Sequence, residues 1–129
     1  MYDLHHFLTA VAIDELNDDK GYTDGQLGKH IAIYENELPD ITNADIVLVG
    51  ANETRGSGDF DNTLNAADCI RRQLYQLHYW HTDIALADIG NIKTGATLKD
   101  SYAAIKTVIA ELLRLKKTVV VLGGPHDIT

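Results

Sequence analysis

The run GGPHDIT, residues 123–129, combines residue types that favour a binding site. It follows the apolar run VVVL, and Gly123 and Gly124 allow a tight turn with no side chain in the way. The imidazole of His126 is a common ligand for transition metals. The same residues also fit a glycine turn followed by Asp127 as the N-cap of a helix, with His126 in solvent. One histidine does not define a metal site, so both interpretations stay open.

A second candidate loop, GANETRGSGDFDN at residues 50–62, follows another apolar run. Gly56 and Gly58 form a short glycine pattern, but the loop lacks the third glycine of a dinucleotide-binding motif and the lysine of a P-loop. A flexible turn is the simpler interpretation. Glu53 and Arg55 could contact a substrate from this loop, or could pair with each other in solvent.

The other histidines and the single cysteine predict little chemistry. His78 and His81 are three residues apart and could bind a metal on a helix, although they also fit a helix C-terminus, where positive charge is favourable. His5 and His6 are adjacent, cannot share a helix face, and are expected on the surface. Cys69 lies in an apolar helical pattern, which predicts a buried, unreactive thiol. As a lone cysteine it allows neither an internal disulfide nor a zinc ribbon.

Composition favours one compact globular domain. The 129 residues are 45% hydrophobic, which is enough for a core. The formal net charge of −8 argues against nucleic acid and anionic membranes as partners, because the field of the protein repels phosphate. The apolar runs are far shorter than the ~20 residues of a membrane span, and the first residues lack the basic region of a signal peptide. We therefore expect no membrane segment and a cytoplasmic location.

Hydrophobic patterning predicts strands and helices in alternation. Residues 45–50, 83–91 and 118–124 read as short apolar strands, and residues 62–80 and 94–117 between them read as amphipathic helices. Strands that are apolar throughout are typical of a parallel sheet with both faces covered. The fold class is therefore predicted to be α/β, a parallel β-sheet with helices on both faces.

Apolar residues at three- and four-residue spacing predict the buried face of each helix. In the first helix they are Ala67, Ile70, Leu74 and Leu77. In the second they are Tyr102, Ile105, Ile109 and Leu112. The first helix should begin at Asp61 or Asn62, and the second at Thr97, whose spacing to Asp100 resembles a capping box. Basic residues expected in the last turn of the second helix are Arg114, Lys116 and Lys117.

The chain divides into two parts of different regularity. Residues 1–44 carry three glycines among scattered apolar residues and predict an irregular segment with a short helix. Residues 45–129 hold the βαβαβ pattern. We find no internal repeat, low-complexity tract or linker between the two parts.

The order of elements and their motifs together resemble the opening part of the ureohydrolase family, the manganese enzymes that include arginase, agmatinase and formimidoylglutamase. The resemblance covers residues 45–129. It rests on the strand DIVLVG, the Ile70-Arg71 pair, the run ADIGN and the closing LGGPH. The runs NETRG, IRRQLYQL and ADIGNIKTG look most like the formimidoylglutamase branch.

The resemblance implies a site with two manganese ions in which His126 is the first ligand. Pro125 stands where the family commonly has Asp, and Asp127 stands where it commonly has Ser, so that a carboxylate is added beside the ligand. Glu53, Arg55 and Asn62 are implied as weaker candidates for substrate contact. The family's remaining ligands lie on later strands. We therefore expect the 129-residue chain to be a truncated, inactive arginase-like three-layer fold.

The function implied by the resemblance is hydrolysis of a C–N bond in a guanidino or formimino compound, with a formimidoylglutamase-like activity favoured over arginase or agmatinase. The alternatives are a non-catalytic, flavodoxin-like binding module and an inactive family member kept as an interaction protein. The resemblance also implies the order two-one-three for the three strands. The run TVVVL would then form a bare, β-branched edge, so we expect self-association or a homo-oligomer.

Overall fold

The computed structural model describes residues 4–11, 22–51, 66–79, 81 and 83–123. The regular elements, in chain order, are a 3₁₀ helix Leu4–Phe7, β1 Leu8–Thr9, α1 Leu27–His30, β2 Ala32–Ile33, β3 Ile46–Gly50, α2 Ala66–Leu74, β4 Leu86–Ile92, α3 Leu98–Arg114 and β5 Thr118–Leu122. The three strands and two long helices expected from the sequence are all present. None of the helices in this described part is long and apolar enough to cross a membrane.

The three longest strands, β3, β4 and β5, are parallel and lie in the order β4-β3-β5. Numbered along the chain, this is the expected order two-one-three. The α/β fold class and the strand order are therefore confirmed. Because β3 has a neighbour on each side, all its residues after the half-buried Ile46 are buried. β5 pairs only with β3 among the described strands, and its residues alternate between exposed and half-buried up to the buried Leu122.

The N-terminal part of the chain, which was expected to be irregular, adds two short strands and makes the whole sheet mixed. β1 pairs with β4 in the antiparallel direction, with Leu8 opposite Ile92. β2 pairs with β4 in the parallel direction, with Ala32 opposite Ala87. Both strands are two residues long, too short to show a periodicity that a sequence pattern could reveal.

Helices cover both faces of the sheet, as predicted. On one face Val47 and Val49 of β3 lie in a buried cluster with α3 residues Val108 and Leu112. On the opposite face the intervening Leu48 clusters with residues of the α2 segment. Each of these valines and leucines is buried, which contributes roughly 1.5–3 kcal/mol per side chain relative to exposure.

Helix α3 begins as the sequence indicates. The Thr97 side chain is the N-cap and accepts a hydrogen bond from the backbone N–H of Asp100 at 3.1 Å. Ile105 and Leu112 are buried as predicted, but Tyr102 and Ile109 are only half-buried. The buried face of α3 is shifted by one residue towards the N-terminus from the predicted one. Its other buried residues are Ser101, Val108 and Glu111.

The basic residues after α3 do not all act at its last turn. The helix ends at Arg114, and Lys116 follows with a positive φ of 62°. The ammonium group of Lys117 donates to the carbonyl oxygens of Thr42 and Ala44, at 2.9 and 2.8 Å. Lys117 therefore fastens the loop before β3 instead of opposing the helix dipole, which corrects that prediction.

A bulge in β4 depends on Gly90. Leu48 pairs with Asp88, but Gly50 pairs with Asn91, so β4 holds one residue more than β3 between these pairs. Gly90 takes up the irregularity with a φ of +85°, a conformation that side chains disfavour. A Cβ at this position would also lie 2.0 Å from the carbonyl oxygen of Thr9 in β1.

Replacing Gly90→Ala should therefore lower the free energy of unfolding by about 3 kcal/mol, measured by urea denaturation. Gly25→Ala is the matched control, because Gly25 lacks a positive φ and a Cβ there would meet only the His78 ring, at 3.2 Å. We expect the control to change the free energy of unfolding by less than about 1 kcal/mol. Equal losses in the two variants would contradict the role of the bulge.

Candidate functional site

The carboxyl ends of β3 and β5 lie side by side. The backbone N–H of Ala51, just after β3, donates to the carbonyl oxygen of Leu122 at 2.9 Å. In a parallel sheet of order two-one-three, this is the place where the strand order reverses, and ligands of open α/β sheets bind in the crevice at such a point. The crevice between β3 and β5 is therefore the candidate functional site.

The residues predicted to act at this site lie outside the described residues. They are Glu53, Arg55, Asn62, His126 and its neighbour Asp127. What the described part does establish is where their segments begin. Residues 52–65 follow Ala51 and residues 124–129 follow Gly123, and these two starting points are adjacent at the crevice.

The beginning of α2 flanks the same crevice. Gly123 has a φ of +78°, and a Cβ there would lie 3.0 Å from the backbone nitrogen of Ala67. A Cβ at Gly50 would lie 2.8 Å from the Cβ of Ala67. Ala67 is fully buried between these two strand ends, so the separation between helix and strands leaves no room for larger residues.

Below the crevice, a buried ion pair joins α2 to β4. The Nε of Arg71 donates to Oδ2 of Asp88 at 2.7 Å, and Nη2 donates to Oδ1 at 2.9 Å, which makes the pair bidentate. Both side chains have no exposed surface. Removing charges from water costs free energy unless every polar atom has a hydrogen-bond partner. The remaining contacts of both groups therefore decide whether the buried pair destabilises the fold.

Every N–H of the Arg71 guanidinium has an acceptor. Nη1 donates to Oδ1 of Asn91 at 2.6 Å and to Oδ1 of Asp68 at 3.1 Å. Nη2 also donates to the carbonyl oxygen of Gly90 at 2.9 Å. Together with the two bonds to Asp88, all five donors of the guanidinium are used.

The Asp88 carboxylate is equally satisfied. Its Oδ2 also accepts from the Tyr75 hydroxyl at 2.5 Å, and its Oδ1 accepts from the backbone N–H of Gly90 at 3.0 Å. Each oxygen therefore accepts two hydrogen bonds. The bulge at Gly90 is part of this arrangement, because it turns that N–H towards the carboxylate.

The electrostatics of this network shift the pKa values of Arg71 and Tyr75. Burial by itself would lower the pKa of Arg71, but the hydrogen bonds and charge of Asp88 outweigh it and the pKa is raised. Burial is the main reason that the pKa of Tyr75 is raised, and the negative charge of Asp88 adds to it. The guanidinium is thus always charged and the phenol always neutral near pH 7.

The network changes the predicted buried face of α2. Ala67, Arg71 and Tyr75, spaced by four residues, face the sheet. Of the residues predicted to do so, Ile70 is 41% exposed, and Leu77 is 58% exposed and lies beyond the helix end at Leu74. Ala67 is buried as predicted, and Leu74 is half-buried against the core. The apolar pattern was misleading for Ile70 and Leu77, because the helix turns its arginine towards Asp88.

Among the described residues, the other side chains that could take part in chemistry do not come together in a site. Cys69 is exposed, not buried, because it lies on the side of α2 turned away from Arg71. His78 lies beyond the end of α2 and pairs in a β-bridge with Gln26, so His78 and His81 do not share a helix, as a helical metal site would have required. Within the described ranges, no group of three or more His, Cys, Asp or Glu side chains could hold a metal ion. His6 is exposed, as predicted.

The fold and the crevice define a doubly wound α/β protein with its candidate site at the carboxyl ends of its parallel strands. A model of the arginase family matches residues 44–129, and the chain belongs to this family. No curated protein and no solved structure matches the chain. The matched region includes Arg71, Asp88 and His126.

Tyr75→Phe should alter the stability of the protein at alkaline pH. In wild type the raised pKa favours the protonated phenol in the folded state, so its stabilisation is complete below the ordinary value of 10.0 and is lost as the pH rises above it. Phenylalanine cannot titrate. The free energy of unfolding of wild type should fall by about 1.4 kcal/mol per pH unit more steeply than that of the variant above this pH.

Urea denaturation at several pH values checks this. From about pH 7 to pH 9 the two stability curves should run parallel, with the variant lower by roughly 1.5–3 kcal/mol because it lacks the hydrogen bond to a charged carboxylate. Curves that stay parallel at alkaline pH would show that Tyr75 does not titrate differently in the folded and unfolded states.

Proposed function

We propose that the protein formed with these residues is a manganese-dependent ureohydrolase that hydrolyses a C–N bond of a linear amidine. The observation that carries this proposal is the arginase family match over residues 44–129. The crevice supports it, because the segments that hold the ligand and substrate candidates both start there. The reaction adds water to the amidine carbon and releases the amine, with urea or formamide as the second product.

We assign His126 as a manganese ligand, with Asp127 beside it to hydrogen bond to the ligands or to bound water. Manganese would supply an activated water and polarise the amidine carbon. The described residues form no metal centre of their own, and catalysis needs carboxylate ligands in addition to one histidine. We therefore propose that the 129 residues alone do not catalyse the reaction.

The proposed substrate is formimidoylglutamate rather than arginine or agmatine. Support comes from the runs NETRG, IRRQLYQL and ADIGNIKTG, which resemble the formimidoylglutamase branch. Glu53, Arg55 and Asn62 are proposed to contact the substrate. Carboxylate and amide oxygens can accept hydrogen bonds from the formimino nitrogen, and a guanidinium can bind a substrate carboxylate.

The natural full-length protein, loaded with manganese, should release formamide from formimidoylglutamate faster than it releases urea from arginine or agmatine. His126→Asn should lower this activity by at least about 100-fold and reduce the bound manganese, because a direct ligand is lost. His6→Asn, at an exposed histidine, is the matched control and should retain activity. Chelation of manganese should abolish turnover in wild type and control.

Three outcomes would contradict the proposal in different parts. Release of urea from arginine as the faster reaction would overturn the substrate assignment only. Full activity after chelation would overturn the metal assignment. A natural protein that binds no manganese and hydrolyses none of the three compounds would favour the non-catalytic interaction protein.

We also propose that the 129-residue chain associates with itself through β5. This strand is paired on one side by β3, and among the described residues no strand pairs with its other side. Its Val120 is 39% exposed. Unpaired strand edges with β-branched residues readily pair with other chains.

Val120→Lys should therefore shift the chain towards the monomer in light scattering, because a charge on an edge strand disfavours pairing. Leu113→Lys is the comparison, since Leu113 is an exposed apolar residue on α3. If only Leu113→Lys dissociated the chain, the interface would lie on the surface of α3 and not on β5. Monodisperse monomer in wild type at high concentration would exclude both interfaces.

A further inference from the structure

The Arg71 network reaches the candidate site through two routes, although Arg71 itself is fully buried. The first route is the helix. Ala67 lies one turn before Arg71 and contacts both strand ends, as the close approaches at Gly50 and Gly123 show. Because the guanidinium fixes α2 to Asp88 of β4, it also fixes the beginning of α2 against the ends of β3 and β5.

The second route is the side chain of Asn91. A guanidinium has only donors, so it is the amide oxygen of Asn91 that must face Arg71, at 2.6 Å. A Cβ at Gly50 would lie 1.9 Å from that same oxygen. The end of β3 therefore rests directly on an atom that Arg71 holds.

We infer that Arg71 is a positioning residue for the reaction, and this inference rests on the proposed amidine hydrolysis. Arg71 does not touch the crevice. It sets the relative positions of α2 and of the ends of β3 and β5, from which the segments with the ligand and substrate candidates begin. Displacements of about 1 Å at a reacting centre can cost on the order of 100-fold in rate, so such control matters for catalysis.

Lysine cannot replace this arginine. An ammonium group has three donors at a single point, whereas the guanidinium spans Asp88, Asn91 and Asp68 with five donors in a fixed plane. Arg71→Lys keeps the charge that balances Asp88 but loses the contacts spread around it. The substitution thus tests position more than charge.

The experiment compares Arg71→Lys with Arg72→Lys in the natural full-length protein. Arg72 is the next residue on the same helix and is exposed, which makes it the matched control. Two readouts are taken on folded protein. The first is kcat with formimidoylglutamate. The second is amide hydrogen exchange at Ala51, which bonds to Leu122 at the crevice, relative to the buried Val47 near the start of β3.

We expect Arg71→Lys to lower kcat and kcat/KM together by about 100-fold, with Arg72→Lys unchanged. Exchange at Ala51 should accelerate about tenfold more than exchange at Val47, because local opening at the crevice adds to any global loss of stability. A general loss of stability would accelerate both amides equally, and that result would overturn the inference.

The inference would also be overturned if Arg71→Lys had the kcat of wild type and the same exchange rate at Ala51, relative to Val47, as wild type. The exchange measurement needs no substrate, so a failure of the proposed function can be told apart from a failure of the inference about Arg71. If wild type hydrolyses no amidine while Ala51 still exchanges selectively in Arg71→Lys, the chemistry is wrong and the control of the crevice by Arg71 stands.

Discussion

The buried pair of Arg71 and Asp88 is the constraint on which the rest of the structure depends. Two charges without solvent are tolerated because the guanidinium uses all five donors and each carboxylate oxygen accepts two hydrogen bonds. Such a set of contacts exists for one orientation of α2 only. Rotating the helix by one residue would remove the arginine from the carboxylate and leave a buried charge unpaired, which is strongly unfavourable.

This constraint links parts of the chain that would otherwise be independent. The bulge at Gly90 supplies an N–H to Asp88 and a carbonyl to Arg71, and it also brings β4 close to β1. Asn91 follows the bulge and reaches the end of β3. Helix α2, strand β4 and the ends of β3 and β5 are therefore held together by connected contacts below the crevice.

Much of the fold could be predicted from the sequence because strands that are apolar throughout and amphipathic helices leave strong patterns. The three parallel strands, the Thr97 cap and the helices on both faces follow from such patterns, and the strand order followed from the family resemblance. Strands β1 and β2 could not be predicted, because a strand of two residues is too short to show an alternation of apolar and polar residues. Both strands pair with the edge of β4 that β3 leaves free.

The site was less predictable for a different reason. Patterns of apolar residues assume that charges point outwards, and α2 does the opposite. A signal was present: Asp88 interrupts an apolar strand, and Arg71 lies four residues from both Ala67 and Tyr75. An acid and a base that each break an apolar pattern in successive elements indicate a buried pair. The predicted ligand and substrate residues, in contrast, lie in segments outside the described residues.

The antiparallel strand β1 also has a consequence for synthesis. Its Thr9 is bound to Asn91, 82 positions further along the chain. At ribosomal rates of roughly 5–20 residues per second, the partner is made about 4 to 16 s after β1. During that interval the first strand has no edge to join. The first strand therefore cannot take its native position until β4 has been made, although it is translated well before it.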